Sequence, residues 1–286
     1  MDNNSSSSHK SNEPEKYFLY VVGTPIGNLS DLSSRAIHIL SNVDLIACED
    51  TRQTKKIMSK FQFTNKLISF NKHNSFNKIP KIINDLNSGK SIALVSDAGM
   101  PGICDPGEEL IKESKKNGIK IICVPGPCAA LTALVSSGLP TSKFTFEGFL
   151  PKKKTEREKL LLEISKNEKT TVIYESPKRL KKLLKELFEL CGGDREIMIA
   201  RELTKKFEEH VGNNISSVIE FFKDKDIIGE ITVVVKGIKK SDFNPDKLII
   251  KKDLNDLINA GLSLPAASKY LAQRNGLKKS EIYNMI

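Results

Sequence analysis

The sequence predicts an α/β protein whose strands lie mostly parallel and alternate with helices. Three observations point there. Short apolar runs alternate with amphipathic stretches in a βαβα rhythm, beginning with the runs at 17–22, 43–48 and 92–95. Polar turns at 23–28, 49–52, 97–105, 174–177 and 201–205 each follow an apolar run. The loop SDAGMPGICDPG at 96–107 comes directly after Ile92-Ala93-Leu94-Val95 and leads into a helical pattern. Open α/β sheets bind ligands in the crevice at the carboxyl ends of their strands. Glycine lets such a loop turn sharply, and proline stiffens it.

The elements follow in order. After a strand at 17–22, GTPIGNL at 23–29 makes a turn, and Ser30 or Asp31 can cap a helix carrying Leu32, Ala36, Ile39 and Leu40 on one face. A strand at 43–48 ends in Glu49-Asp50-Thr51-Arg52, and a helix then runs to about Phe61. Next come a weak strand at 67–70, a helix at 79–86 and the strand at 92–95. Asp105-Pro106-Gly107-Glu108 fits an N-cap, an N1 proline and a capping-box glutamate for a helix at 106–117, which Gly118 stops. Asp97 has no such local role and is the better ligand candidate.

A strand at 119–124 is followed by a helix that starts at Pro127, with Leu131, Leu134 and Val135 on one side. Residues 145–150 read as a strand, and Thr155 with Glu158 as a capping box before Leu160, Leu161 and Ile164. After a strand at 170–174, Ser176-Pro177 opens a helix whose core stripe is Leu180, Leu183, Leu184, Leu187 and Phe188. Strands at 196–200 and 227–235 flank a polar turn at 201–205. Boundaries near Pro125 and Lys239 divide the chain into a disordered tail (1–16), two α/β domains (17–124 and 125–238) and a helical segment (239–286). In that last segment Leu254, Leu257 and Ile258 form one helix, ended by Gly261. Ser263 and Pro265 start another, with Ala266, Ala267, Tyr270 and Leu271 inward, and Asn275-Gly276 makes a turn. Ser280 caps a third helix holding Ile282 and Tyr283, and the whole is compatible with a helix-turn-helix unit.

Composition narrows the function. The 286 residues suggest about two domains, and a hydrophobic fraction of 39% suffices for packed cores. Five cysteines, with no CxxC pair, argue against a disulfide framework or zinc site and suit a reducing, cytoplasmic setting. The longest uncharged run, 121–142, is broken by Pro125, Gly126, Pro127, Gly138 and Pro140 and does not read as a membrane span. The net charge of +10 favours a polyanionic partner, though much of the lysine is solvated surface. Residues 151–186 concentrate this charge, with twelve Lys/Arg against six Asp/Glu and the run Lys152-Lys153-Lys154.

Motifs exclude several chemistries. The chain has no GxGxxG after the first strand and no GxxxxGK[ST], so the usual phosphate cradles are missing. It has no HExxH and no GxSxG, and its four histidines are scattered, which leaves no metal site or nucleophile elbow to propose. His38 lies on an amphipathic stretch and reads as structural.

Eight segments in order carry a resemblance: GTPIGNLSDLSSRA (23–36), ACEDTR (47–52), SDAGMPGICDPG (96–107), VPGPCAALTALVSSGLP (124–140), FEGFLPKK (146–153), YESPKR (174–179), ARELTKKFEE (200–209) and GEITVVVKG (229–237). They resemble the tetrapyrrole methylase fold group, and within it the bacterial enzymes that 2′-O-methylate a decoding-centre cytidine of 16S rRNA. The resemblance implies two α/β domains with S-adenosylmethionine between them, a homodimer, and the small ribosomal subunit as partner. By motif it places Pro25, Asp97, Ala98, Gly99, Met100, Cys128, Ala129, Tyr174, Leu203 and Ile231 around the cofactor. Met100, Cys104 and Cys128 stand where hydroxyl residues are expected, which puts side-chain hydroxyl contacts in question and leaves the backbone loop intact.

A ribose 2′-hydroxyl is a weak nucleophile, so a base or polarising cation should help. Glu49, Asp50, Arg52, Glu202 and Lys205 are the candidates, and structural ion pairing is the alternative reading of each. Asn28, Lys152, Lys153, Lys154 and Arg179 are the candidate RNA contacts, since phosphate contacts position RNA without reading its sequence. A precorrin-type tetrapyrrole methylase of the same fold is the alternative enzyme. A nucleic-acid-binding regulator that uses the helical segment is the non-enzymatic alternative, and it leaves the strand-end turns unexplained.

Overall fold

The computed structural model describes residues 13–238, 247–275 and 277–285. The first apolar runs form β1 (Phe18–Val22), β2 (Leu45–Cys48), β3 (Leu67–Ser69), β4 (Ile92–Val95) and β5 (Lys120–Val124). They alternate with α1 (Ser34–Asn42), α2 (Thr51–Phe61), α3 (Ser75–Asn87) and α4 (Glu108–Lys116). The sheet order is β3-β2-β4-β1-β5, and every pair is parallel. Every residue of β1, β2 and β4 is buried, as expected for parallel strands covered on both faces. Side chains alternate between the two faces. Tyr20, Ile46 and Ala93 pack with α1 and α2, while Leu19, Leu45 and Leu94 pack with α3 and α4.

The second half holds α5 (Ala129–Ser136), β6 (Phe144–Phe149), α6 (Lys154–Lys166), β7 (Thr170–Glu175), α7 (Pro177–Cys191), β8 (Glu196–Arg201), β9 (Glu209–Asn214), α8 (Ile215–Phe222) and β10 (Ile231–Val235). Its sheet runs β6-β7-β10-β8-β9, with β6 parallel to β7 and the other pairs antiparallel. Leu180, Leu183, Leu184 and Leu187 of α7 pack against Ile173, Ile199 and Val233. On the opposite face α5 covers Val172, Met198 and Val234, and Ile26 from the first half joins that cluster. Met1–Gly237 is one compact unit and Ile238–Ile286 another. The second unit contains α9 (Lys247–Asn259), α10 (Leu264–Asn275) and α11 (Lys279–Tyr283) around Ile250, Leu254, Ala267, Leu271 and Ile282.

Several local expectations are corrected. Ser33 caps α1 in place of Ser30 or Asp31, because residues 29–31 close into a 3-10 turn capped by Asn28. α6 begins at Lys154, so Thr155 is already helical and caps nothing. α11 begins one residue before Ser280. Leu131 and Val135 are exposed because α5 turns its small residues Ala130 and Ala133 inward with Leu134. Phe188, Ala266, Tyr270 and Tyr283 are also exposed. The long strand at 227–235 shortens to β10 after a turn at Gly229, and β9 and α8 were not legible as elements. Residues 13–16 are held, with Glu13 paired to Arg35 at 2.8 Å and its carbonyl bonded to His38 Nε2. The rest of the expected 1–16 tail, and Gly276 of the Asn275-Gly276 turn, lie outside the described residues.

Candidate functional site

The loop after β4 is fastened to the turn after β1. Thr24 N–H donates to Gly99 O at 2.8 Å, Gly99 N–H donates to Thr24 O at 3.0 Å, and Thr24 Oγ1 donates to Ser96 O. Beside this seam, the turns after β1 and β5 meet in a second close approach that needs glycine on both sides. A Cβ on Gly23 would lie 2.7 Å from Gly126 Cα and 2.6 Å from Met100 Sδ. The two backbones therefore touch where β1 and β5 end, next to the Thr24–Gly99 pairing that holds loop 96–107.

Three carboxylates gather beside the loop. Asp97 Oδ1 accepts the Asp50 N–H at 2.9 Å, which ties the turn after β2 to the loop after β4. β2 and β4 are neighbours in the sheet, so their polar ends meet. Burial raises the Asp97 carboxyl above the ordinary carboxylate range, and burial with the nearby Asp97 charge does the same to Glu49. Asp105 is pushed up to about 6 by burial, then by the Glu49 charge. The capping role expected of Asp105 is not seen, because Gly107 is the N-cap of α4 and no side chain caps it. Lys72 Nζ donates to Cys104 O at 2.9 Å. Asp50 caps α2 and binds Arg52, whose hydrogen bonds hold its carboxyl down at about 2.

The facing side is apolar. Tyr174, at the end of β7, accepts the Ala130 N–H on its hydroxyl, and burial pushes that hydroxyl's pKa up. Phe146 and Phe149 lie 4.9 and 5.6 Å from its ring. Between β8 and β9, Glu202 and Thr204 adopt φ of 53° and 65°. Such left-handed conformations cost energy and often mark functional turns, Thr204 the more so because it is β-branched. Lys205 Nζ bridges Glu202 at 2.8 Å and Glu230 at 3.1 Å. Burial alone would raise Glu202 and lower Lys205, but their mutual hydrogen bonds reverse both shifts.

These two sides enclose a cavity of about 360 Å³, within the roughly 300–1,000 Å³ span of small-molecule sites. Ala98, Gly99, Met100, Cys128, Ala129, Tyr174, Leu203 and Ile231 line it, as do Asp105 and Phe149, which were not assigned to it from the sequence. Pro25 is buried and does not line the cavity, where its neighbour Ile26 does; Asp97 does not line it either and lies exposed beside Asp50. Glu175 lines the floor, held by Arg157 at 3.3 Å and Arg179 at 3.2 Å. Arg179 also donates to Leu150 O, so its guanidinium is committed within the fold. Lys153 and Lys154 stand out in solvent and make only exposed pairs with Glu156 and Glu158. The sequence signals for Asp105 and Phe149 were local ones, a cap pattern and a strand end, and those signals hid the cavity role.

The comparisons agree with this architecture. The sequence model of the family described as Tetrapyrrole (Corrin/Porphyrin) Methylases matches residues 18–219. A protein of Halalkalibacterium halodurans named Ribosomal RNA small subunit methyltransferase I is 42% identical over 275 residues, covering 95% of each chain. A Thermotoga maritima protein of the same name is 47% identical over 219 residues, covering 77% of this chain and 98% of its own. Among solved structures, cobalt precorrin-4 methyltransferase, a cobalamin biosynthetic enzyme, superposes with a TM-score of 0.60 at 16% identity, over 77% of this chain and 95% of its own. Uroporphyrin-III C-methyltransferase from Thermus thermophilus, complexed with S-adenosyl homocysteine, gives 0.54 at 16% identity, over 76% and 96% of the two chains.

Proposed function

Because the chain belongs to the tetrapyrrole methylase family, we propose that it is an S-adenosylmethionine-dependent methyltransferase acting on ribosomal RNA. Its target in this reading is the ribose 2′-oxygen of a decoding-centre cytidine in 16S rRNA. The observation that carries the reading is one cavity, apolar on one side and acidic on the other, lined by most of the residues that the motifs place around the cofactor. The fit is chemical. S-adenosylmethionine pairs a flat adenine with a sulfonium and an α-ammonium. Ile26, Leu203 and Ile231 offer apolar surface for the base, and Asp105, backed by Glu49 and Asp97, offers negative charge to the cationic end. When bound, the cofactor supplies an electrophilic methyl group and leaves as a neutral thioether.

The protein's contribution is positioning and exclusion of water, which together account for much of the rate of such a displacement. The seam between Thr24 and Gly99 fixes the acidic side, and the Tyr174 hydroxyl bonded to Ala130 N–H fixes the apolar side. Of the five candidate catalytic residues, Asp50 pairs with Arg52 and Glu202 with Lys205. None of the five lines the cavity; Glu49, which makes no ion pair among the described residues and lies near Asp97 and Asp105, is retained as the candidate proton acceptor.

The test uses a tritiated methyl donor. Transfer to the ribose of small ribosomal subunits that lack the modification, with none to a uroporphyrinoid or corrinoid precursor, supports the reading. The reverse preference replaces it with the tetrapyrrole alternative, and failure to bind the cofactor by calorimetry removes both.

A further inference from the structure

We infer that Phe149 is a stacking platform for an unpaired nucleobase at the mouth of the cavity. This rests on the RNA-methyltransferase reading. Phe149 lines the cavity, yet the residue is 58% exposed. Other large apolar side chains are exposed as well, Phe76 and Phe207 among them; Phe149 differs in standing at the rim of the cavity, where its ring can meet an occupant.

The backbone is distorted in a way that puts the ring there. β6 pairs with β7 in regular register from Phe144 to Phe146, then shifts between Phe146 and Gly148 so that Phe149 stands opposite Tyr174. Side chains on a regular strand alternate in direction, so Phe146 and Phe149 would point to opposite faces. The bulge absorbs one residue and brings both rings onto Tyr174, at 4.9 and 5.6 Å. Bulges recur beside active sites for this kind of re-aiming. Gly148 makes the bulge possible, with φ of +59° and a position where a Cβ would lie 2.8 Å from Cys104 Sγ. The Cys104 thiol also interacts with the Phe149 backbone, which anchors the ring to loop 96–107.

The chemistry around the ring selects the occupant. Lys152, Lys153 and Lys154 follow within five residues, a reach of at most roughly 18 Å. Lys153 and Lys154 have side chains 71% and 86% exposed. An exposed aromatic ring followed by solvent-facing lysines matches the two halves of an unpaired nucleotide, a flat base and a phosphate. Tyr174 supports the ring from behind, so the ring is already ordered before any base arrives.

The experiment compares Phe149→Ala, Phe149→Leu and Phe149→Trp in the full chain. Binding of a short unpaired cytidine-containing RNA and methyl transfer to small subunits are measured, with S-adenosylhomocysteine calorimetry as the control for folding and for the cofactor wall. Stacking of a base is commonly worth several-fold to about a hundredfold in affinity. The expected result is a loss of at least about tenfold in RNA affinity and in kcat/KM for Phe149→Ala. Phe149→Trp restores both, Phe149→Leu does not, and S-adenosylhomocysteine affinity stays within about twofold of wild type. Equal rescue by leucine overturns stacking in favour of plain apolar packing. A parallel fall in S-adenosylhomocysteine affinity assigns Phe149 to the cofactor and also overturns it. If wild-type protein transfers no methyl group to subunits yet binds the RNA through Phe149, the proposed function fails and the platform stands.

Discussion

The parallel-sheet side of the cavity carries a cluster of carboxylates, unpaired among the described residues and held by loop hydrogen bonds, whereas the mixed-sheet side carries an aromatic cluster and keeps its charges in ion pairs. Glu49, Asp97 and Asp105 cluster because β2 and β4 are neighbours and Asp97 accepts the Asp50 N–H. Tyr174, Phe146 and Phe149 cluster because a bulge turns one strand's side chains onto the next. The contrast separates two jobs. Backbone-pinned loops can hold like charges close together, since their positions do not depend on those charges attracting. Aromatic side chains stacked on a sheet give a dry face that tolerates an exposed rim.

The largest effect is expected at the close approach between the turns after β1 and β5, next to the Thr24–Gly99 pairing. Gly126→Val drives a side chain into the Gly23 backbone, where even a Cβ would sit 2.8 Å away. Overpacking against backbone costs about 3 kcal/mol, which a urea unfolding curve will register together with loss of cofactor binding. A fully stable variant would show that the close approach is dispensable.

Asp97→Ala is next in size. It leaves the Asp50 N–H without its acceptor, and a hydrogen bond to a charged group is worth about 1.5–3 kcal/mol. Cofactor affinity measured by calorimetry falls by roughly tenfold to a hundredfold. Unchanged affinity would remove the acidic side from the site.

Titration tests the acidic cluster, because burial and the Glu49 charge push the Asp105 carboxyl toward neutrality. Asp105 titrates at about 6, above its ordinary 3.8. A cationic ligand binds the ionised form, so below that value it must displace a proton, and above it no such cost applies. S-adenosylmethionine affinity therefore rises as pH increases toward 6, at most about tenfold per unit, and levels off above it. Asp105→Asn flattens this profile. A wild-type profile already flat between pH 5 and 7 would contradict the assignment.

The smallest effect belongs to the apolar side. Cys128 is the N-cap of α5 and makes no side-chain capping bond. Serine there accepts a helical N–H, and Cys128→Ser raises stability by about 0.5–1 kcal/mol in thermal unfolding. The Cys128 side chain also hydrogen-bonds with Tyr174, and a loss of stability instead would mean that this contact matters more than the cap.

Much of this molecule was legible in order along the chain. The buried strands β1, β2 and β4, the leucine stripe of α7 and the loop at 96–107 follow from apolar runs, helical spacing and turn residues, all of which are local properties. The same local rules misassigned Asp105, whose cap pattern is genuine in sequence but unused because Gly107 begins α4. They missed β9, whose run Glu209–Asn214 has little apolar content and is a strand because it pairs with β8 at the sheet edge. They could not tell free charges from paired ones, since Lys205 joins Glu202 three residues away and Glu230 far along the chain. Local pattern in the chain was enough for most of the helices and strands and for the parallel order of the first sheet, because those depend on neighbours a few residues apart. Only the tertiary structure decided which carboxylates share a field, which ions neutralise each other and which way Phe149 faces, because strand order and a one-residue register shift set those distances.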